Sequence, residues 1–175
     1  MDLKGCIFDL DGVIVDTAKY HFMAWRRLAK ELGFVFTLED NEALKGVSRM
    51  ASLEILLSKG NIHVTEKEKE DLAARKNGWY VEFISGMKPD EILPGSVKLL
   101  KTLRKEGILT AIGSASKNAG TILDGIGLRD MFDVIVDGNK ISKAKPDPEV
   151  FLRGAQEMKL LRLSAGIIKE AIDSL

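Results

Sequence analysis

Residues 6–17 read CIFDLDGVIVDT, an apolar run that leads directly into Asp9, Asp11 and Gly12, with a third carboxylate, Asp16, just beyond. A short apolar run closed by a turn residue reads as a buried strand, and carboxylates at its end must look out of that burial. In a parallel α/β sheet the place they look into is the crevice beyond the carboxyl ends of the strands, where ligands bind. Asp9 and Asp11 are two residues apart, so along an extended chain they project to one side. Two carboxylates on one point invite a hard cation such as Mg2+. One of them can also attack phosphorus while its neighbour, kept partly protonated by the like charge, moves the proton. For a D-x-D-G standing alone, a simple turn cap before Gly12 is the more ordinary reading.

The rest of the chain supplies the sheet. Residues 3–9, 108–113 and 133–136 are short apolar runs rich in β-branched residues, separated by helical patterns, as parallel α/β units require. Between Asp16 and Pro94 only helical segments are predicted. One starts at Asp16 or Thr17 and stops at Gly33; a second is capped by Ser48 and ends at Gly60; a third opens on the capping box Thr65–Glu68 and runs to about Ile84. Residues 16–91 therefore read as a helical cap inserted into an α/β core made of residues 1–15 and 92–175. The hinges lie at residues 15–17 and 88–95, where Pro89 and Pro94 oppose helix. The charged run TEKEKED, residues 65–71, is a solvated helix face.

Composition excludes several classes of function. Lys plus Arg equals Asp plus Glu at 26 each in 175 residues, so no overall field draws in nucleic acid or an acidic membrane, and any affinity for phosphate is local. The single cysteine, Cys6, has no partner for an internal disulfide and reads as a small buried hydrophobe. The longest apolar stretches are interrupted by charges and the first residues carry no signal pattern, so a cytoplasmic protein is expected.

Two later loops complement the acidic pair. GSASKNAG, residues 113–120, sets Ser114, Ser116, Lys117 and Asn118 between a strand and a helix, where hydroxyls and backbone N–H groups can hold phosphate oxygens. KAKPDPEVF, residues 143–151, places Lys145 in a loop before a helix that Asp147 can cap and Pro148 can open. A serine-rich cap and a solvated lysine are the ordinary readings of each. An acid pair, a serine and a lysine at three successive strand ends are far more specific together.

With these residues in place the chain resembles the haloacid dehalogenase superfamily, and within it the phosphosugar mutases. The match runs from Met1 to about Met158 through FDLDGVIVDTAKYHFMAWRRLAKELG, LKGVSRMASLEIL, ARKNGWY, LPG, SASKNA and KPDPEVF. The resemblance implies a Rossmann-like parallel sheet with a helical cap, a Mg2+ cofactor, and interconversion of β-glucose 1-phosphate and glucose 6-phosphate through an aspartyl phosphate and a glucose bisphosphate. It implies Asp9 as nucleophile and Asp11 as general acid/base. Ser114 and Lys145 would bind the transferring phosphoryl, and Asp9 with the main-chain carbonyl of Asp11 would hold the metal. A monomer is implied for the family. A sugar-phosphate phosphatase of the same fold, or a non-catalytic phosphosugar-binding remnant, remain the alternatives.

The cap carries the residues that would separate a mutase from a phosphatase. Ala18, Phe22, Trp25, Leu28 and Leu32 form an apolar stripe with His21 on its edge, and Leu72, Lys76, Trp79 and Phe83 share one helix face. A satisfied core histidine and a lysine that reaches out to water are the ordinary readings. The resemblance instead makes His21 and Lys76 substrate-linked, counts Thr17, Trp25 and Gly46 with them, and gives Arg49 the sugar's second phosphate. Ser116, Lys117 and Asn118 would hold the same non-reacting end.

The pattern departs at its end, MKLLRLSAGIIKEAIDSL, residues 158–175. If Ala165–Ile167 is the matching anchor, Leu161 and Arg162 stand where the resemblance calls for an acidic pair, and the strand before them is short. Glu157, Glu170 and Asp173 are expected on helices. The C-terminal strands are therefore expected to be incomplete, Mg2+ binding weak, turnover poor, and the sheet edge open to self-association.

Overall fold

The computed structural model describes residues 3–44, 48–143 and 145–160. It divides into two compact units, Met1–Asp16 with Met87–Leu175, and Thr17–Gly86.

The first unit is built on three parallel strands, β1 (Gly5–Phe8), β2 (Leu109–Gly113) and β3 (Val134–Val136), paired in that order. Phe8 stands opposite Ile112, and Gly113 opposite Val136, so the three carboxyl ends finish at one edge. β2 is the middle strand, and Ala111, Ile112 and Gly113 are buried accordingly. Helices α5 (Ser96–Lys105), α6 (Ala119–Gly125) and α7 (Glu149–Glu157) accompany the sheet. α7 packs against all three strands, and its approach is close: a β-carbon on Gly154 would lie 3.2 Å from the Ile7 side chain. Cys6 in β1 is only half-buried, which is enough to raise its thiol pKa by desolvation; the fully buried position expected for it is not observed.

The second unit is all helical: α1 (Ala18–Glu31), α2 (Leu38–Glu42), α3 (Arg49–Gly60) and α4 (Glu66–Ser85). The predicted stops and starts have visible causes. α1 ends before Gly33, whose φ of +89° suits glycine. Ser48 accepts from Ala51 N at 3.3 Å to open α3, and Thr65 and Glu68 exchange capping bonds to open α4. α2 was not predicted, although Thr37 and Asp40 form a capping box of the same kind. Trp25, Leu28, Phe36, Leu53, Leu56 and Leu72 centre the core of this unit.

Two sequence expectations shift. The second junction of the two compact units falls at Gly86/Met87, ahead of the expected one after residue 91, while the bond from Leu93 N to Ile14 O at 2.8 Å and the bridge between Ile92 and Val15 hold residues 92–93 in the first unit. The buried row of α4 is Leu72, Ala73, Lys76, Tyr80 and Ile84, and not the row through Trp79 and Phe83, since fourfold spacing from Leu72 continues along 76, 80 and 84.

Candidate active site

Asp9 follows the last residue of β1. Leu10 is fully buried, while Asp9 on one side of it is half-buried and Asp11 on the other is exposed, so both flanking carboxylates are accessible at the strand end. The turn that follows hangs on Leu10, whose carbonyl accepts from Ile14 N at 3.0 Å and Val15 N at 3.2 Å, while Gly12, at φ +79°, donates to Val15 O at 2.7 Å.

Asp9 is held from two sides. Its Oδ1 accepts from Leu10 N at 2.7 Å, and its Oδ2 lies 2.7 Å from Lys145 Nζ, which also sits 5.1 Å from the Phe151 ring centroid. At side-chain exposures of 38% for Asp9 and 29% for Lys145 the pair adds little to stability, so its meaning is positional: a carboxylate and a cation meet at one strand end. Lys145 comes from the connection between β3 and α7. Asp147 Oδ1 accepts from Glu149 N at 3.0 Å, and the helix cap itself is Pro148, one residue later than predicted.

Ser114 follows β2 directly and is 1% exposed. Its backbone N donates to Val136 O at 2.9 Å, continuing the ladder with β3, and its Oγ accepts from Ser116 N at 3.1 Å. Ser116 Oγ in turn accepts from Asn118 N at 3.2 Å. The segment 114–118 is thus a tight loop with its hydroxyls turned onto its own backbone, and Lys117 is exposed upon it.

In the helical unit, Thr17 is buried at the N-cap of α1, where its side chain does not cap the helix, and His21 and Trp25 follow on α1. Lys76 of α4 is 2% exposed, so it does not reach out to water as an isolated lysine would. Its Nζ lies 3.0 Å from His21 Nδ1, 4.4 Å from the Trp25 ring centroid and 5.0 Å from that of Tyr80. His21 stacks on Tyr80 with centroids 4.1 Å apart. Burial, then the Lys76 and Arg49 cations, push the His21 pKa down to about 3, so the ring is neutral. An ammonium can only donate; charged Lys76 therefore requires Nδ1 as acceptor and places the histidine proton on Nε2. Burial, then Arg49, lower Lys76 to about 7, and the π faces of Trp25 and Tyr80 counter part of that. Arg49 is the exposed first residue of α3.

Gly46, and at the other end Leu161, Arg162, Ala165–Ile167, Glu170 and Asp173, lie outside the described residues. Sequence reasoning missed Tyr80, which completes the surroundings of His21 and Lys76 and is signalled by its place four residues after Lys76. It also missed the turn Asp137–Asn139 after β3, although D-G is a turn dipeptide.

Among the described residues no three His, Cys, Asp or Glu side chains converge as a metal centre. A divalent cation at the end of β1 would therefore rely on the partly exposed Asp9 carboxylate together with Asp11, oxygen donors of the hard type that Mg2+ takes when phosphate and water complete its shell. The donor set fits that ion. No helix of the described residues is long and apolar enough to cross a membrane.

A sequence model of the haloacid dehalogenase-like hydrolases matches residues 3–166. The chain is 42% identical over 171 residues to a β-phosphoglucomutase of Bacillus subtilis (strain 168), which covers 97% of this chain and 76% of that protein. It is similar to the crystal structure of a β-phosphoglucomutase from Clostridium difficile, with 43% identity, a TM-score of 0.80, and coverage of 91% of this chain and 72% of that one. A fructose-1-phosphate phosphatase of Escherichia coli (strain K12) is 29% identical over 95% of this chain and 86% of its own length. The chain belongs to the haloacid dehalogenase-like hydrolase family.

Proposed function

We propose that the chain is a phosphosugar mutase of the β-phosphoglucomutase type, interconverting β-glucose 1-phosphate and glucose 6-phosphate through a phosphorylated Asp9. The observation that carries the reaction class is the pair Asp9–Lys145 at 2.7 Å beyond a parallel strand end. The mutase is favoured over a phosphatase because identity to the mutase relative reaches 42%, against 29% for the sugar-phosphate phosphatase.

In this reading an Asp9 oxygen bonds to phosphorus as the bond between phosphorus and the sugar oxygen breaks, and Asp11 gives that departing oxygen a proton. In the other direction Asp11 takes the proton of a sugar hydroxyl as it attacks the aspartyl phosphate. Lys145 and Ser114 hold the transferring phosphoryl oxygens, whose charge needs fixed donors. Ser116, Lys117 and Asn118 hold the phosphate that is not reacting. Thr17, His21, Trp25, Gly46, Lys76 and above all Arg49 serve the sugar and its second phosphate, since a bisphosphate intermediate must present each phosphate in turn. Asp9 and the Asp11 carbonyl would hold Mg2+, which supplies charge neutralisation to the phosphoryl oxygens when bound. A cytoplasmic setting belongs to the same reading.

The test is a coupled assay with β-glucose 1-phosphate, Mg2+ and glucose bisphosphate as primer, run beside intact-mass measurement of the protein. The expected result is isomerisation exceeding phosphate release, a phosphoryl adduct on the wild type, and neither activity nor adduct for Asp9→Asn, because an amide is not a nucleophile. Isomerase activity retained in Asp9→Asn would remove Asp9 from its role. Phosphate release without isomerisation would make the chain a phosphatase.

A further inference from the structure

We infer that Asn139, in the turn that follows β3, is a positioning residue for the phosphate loop 114–118, acting through the loop's carbonyl groups; this rests on the mutase reading of that loop. The turn engages two successive carbonyls. Gly138 N donates to Ser116 O at 3.1 Å, and Asn139 Nδ2 donates to Lys117 O at 3.0 Å. The Asn139 side chain is itself oriented, because Asp137 Oδ1 accepts from Asn139 N at 2.9 Å and Asp137 Oδ2 accepts from Asn139 Nδ2 at 3.2 Å. With both amide hydrogens claimed by oxygen acceptors, the reversed orientation would set oxygen against oxygen twice.

Planar trans peptides convert this grip into direction. In each peptide unit the C=O and the next N–H point oppositely, so drawing Ser116 O and Lys117 O onto the turn aims the N–H groups of Lys117 and Asn118 away from it. For Asn118 the outcome is visible, since its N–H reaches Ser116 Oγ at 3.2 Å. Gly138 is needed for the approach: a β-carbon there would strike Ala115 O and come within 3.0 Å of Lys117 N. Ser114 is held separately, by its own ladder bond to Val136. Loss of Asn139 should therefore affect residues 116–118, which hold the non-reacting phosphate, more than Ser114, Lys145 and Asp9, which act on the transferring one.

The experiment compares wild type with Asn139→Ala and Asn139→Asp in Mg2+ buffer by two measurements. The first is the calorimetric Kd for glucose 6-phosphate. The second is the rate at which acetyl phosphate phosphorylates Asp9, read by intact mass; acetate leaves as the Asp9 oxygen bonds to phosphorus, and no sugar is involved. Asn139→Ala is expected to weaken glucose 6-phosphate on the order of tenfold, the scale of one lost hydrogen bond. Asn139→Asp should weaken it more, because it turns an acceptor onto the Lys117 carbonyl. The affinity loss should exceed any loss in phosphorylation rate by about fivefold or more, the margin that one hydrogen bond to a single loop allows. Equal losses in both measurements would reduce Asn139 to a general structural role and overturn the inference, as would an unchanged Kd in both variants. A wild type that binds glucose 6-phosphate without isomerising its partner sugar would refute the mutase reading while the Kd series still decides on Asn139. A wild type that binds no glucose 6-phosphate would overturn both.

Discussion

Replacing Lys76 by methionine tests the electrostatics of the helical unit in a way that activity alone would not. The side chain is 2% exposed, and its pKa is lowered from 10.5 to about 7, first by burial and then by Arg49. Because the folded value lies below the unfolded one, the unfolded chain binds more protons between about pH 7 and pH 10.5, and wild-type stability rises through that window as the penalty on the buried amine disappears. With these two pKa values the penalty is about 4 kcal/mol at pH 7 and about 2 kcal/mol at pH 9. Methionine has similar volume and does not titrate, and His21, at about 3, stays neutral throughout. The Lys76→Met variant should therefore lose about 2 kcal/mol of stability relative to wild type on going from pH 7 to pH 9. Both tryptophans, Trp25 and Trp79, lie in the Thr17–Gly86 unit, so urea unfolding followed by tryptophan fluorescence reads the right part of the molecule. Any constant difference from lost contacts with His21, Trp25 and Tyr80 cancels in the comparison between the two pH values. A stability difference that stays level across this range would mean that Lys76 keeps an ordinary lysine pKa, and the argument from burial would fail.

Other outcomes follow from single positions. Arg49→Lys should reduce kcat/KM of the mutase reaction on the order of tenfold, since an ammonium cannot make the paired contacts of a guanidinium to phosphate; unchanged kinetics would return Arg49 to an ordinary surface charge. Gly60→Ala should destabilise the helical unit by about 1–3 kcal/mol in the same fluorescence assay, because overpacking displaces neighbours. The added β-carbon would lie 2.6 Å from the Phe34 ring, and a stability equal to wild type would show that the ring can move aside freely.

Much of this molecule is legible one segment at a time. The Ser48 and Thr65 caps and the break at Gly33 depend on contacts within a few residues, and a sequence displays such contacts directly, while the three strands are legible as apolar, β-branched runs although their pairing is long-range. The site residues of the core were legible as types at strand ends, since parallel strands place their carboxyl ends together whatever helices connect them. Their partners were not. Lys145 meets Asp9 only because β3 and α7 bring distant loops to the end of β1, and Lys76 meets His21 only because α4 packs on α1. The neutral histidine and the lowered lysine pKa exist only once that packing has removed water from both. Asn139 makes the same point: D-G-N announces a turn, but which carbonyls the turn seizes depends on β3 lying beside β2. Propensity and capping act along the chain and were fixed by residue order, whereas ion pairing, desolvation and the direction of a hydrogen bond act across it and were decided by the tertiary structure.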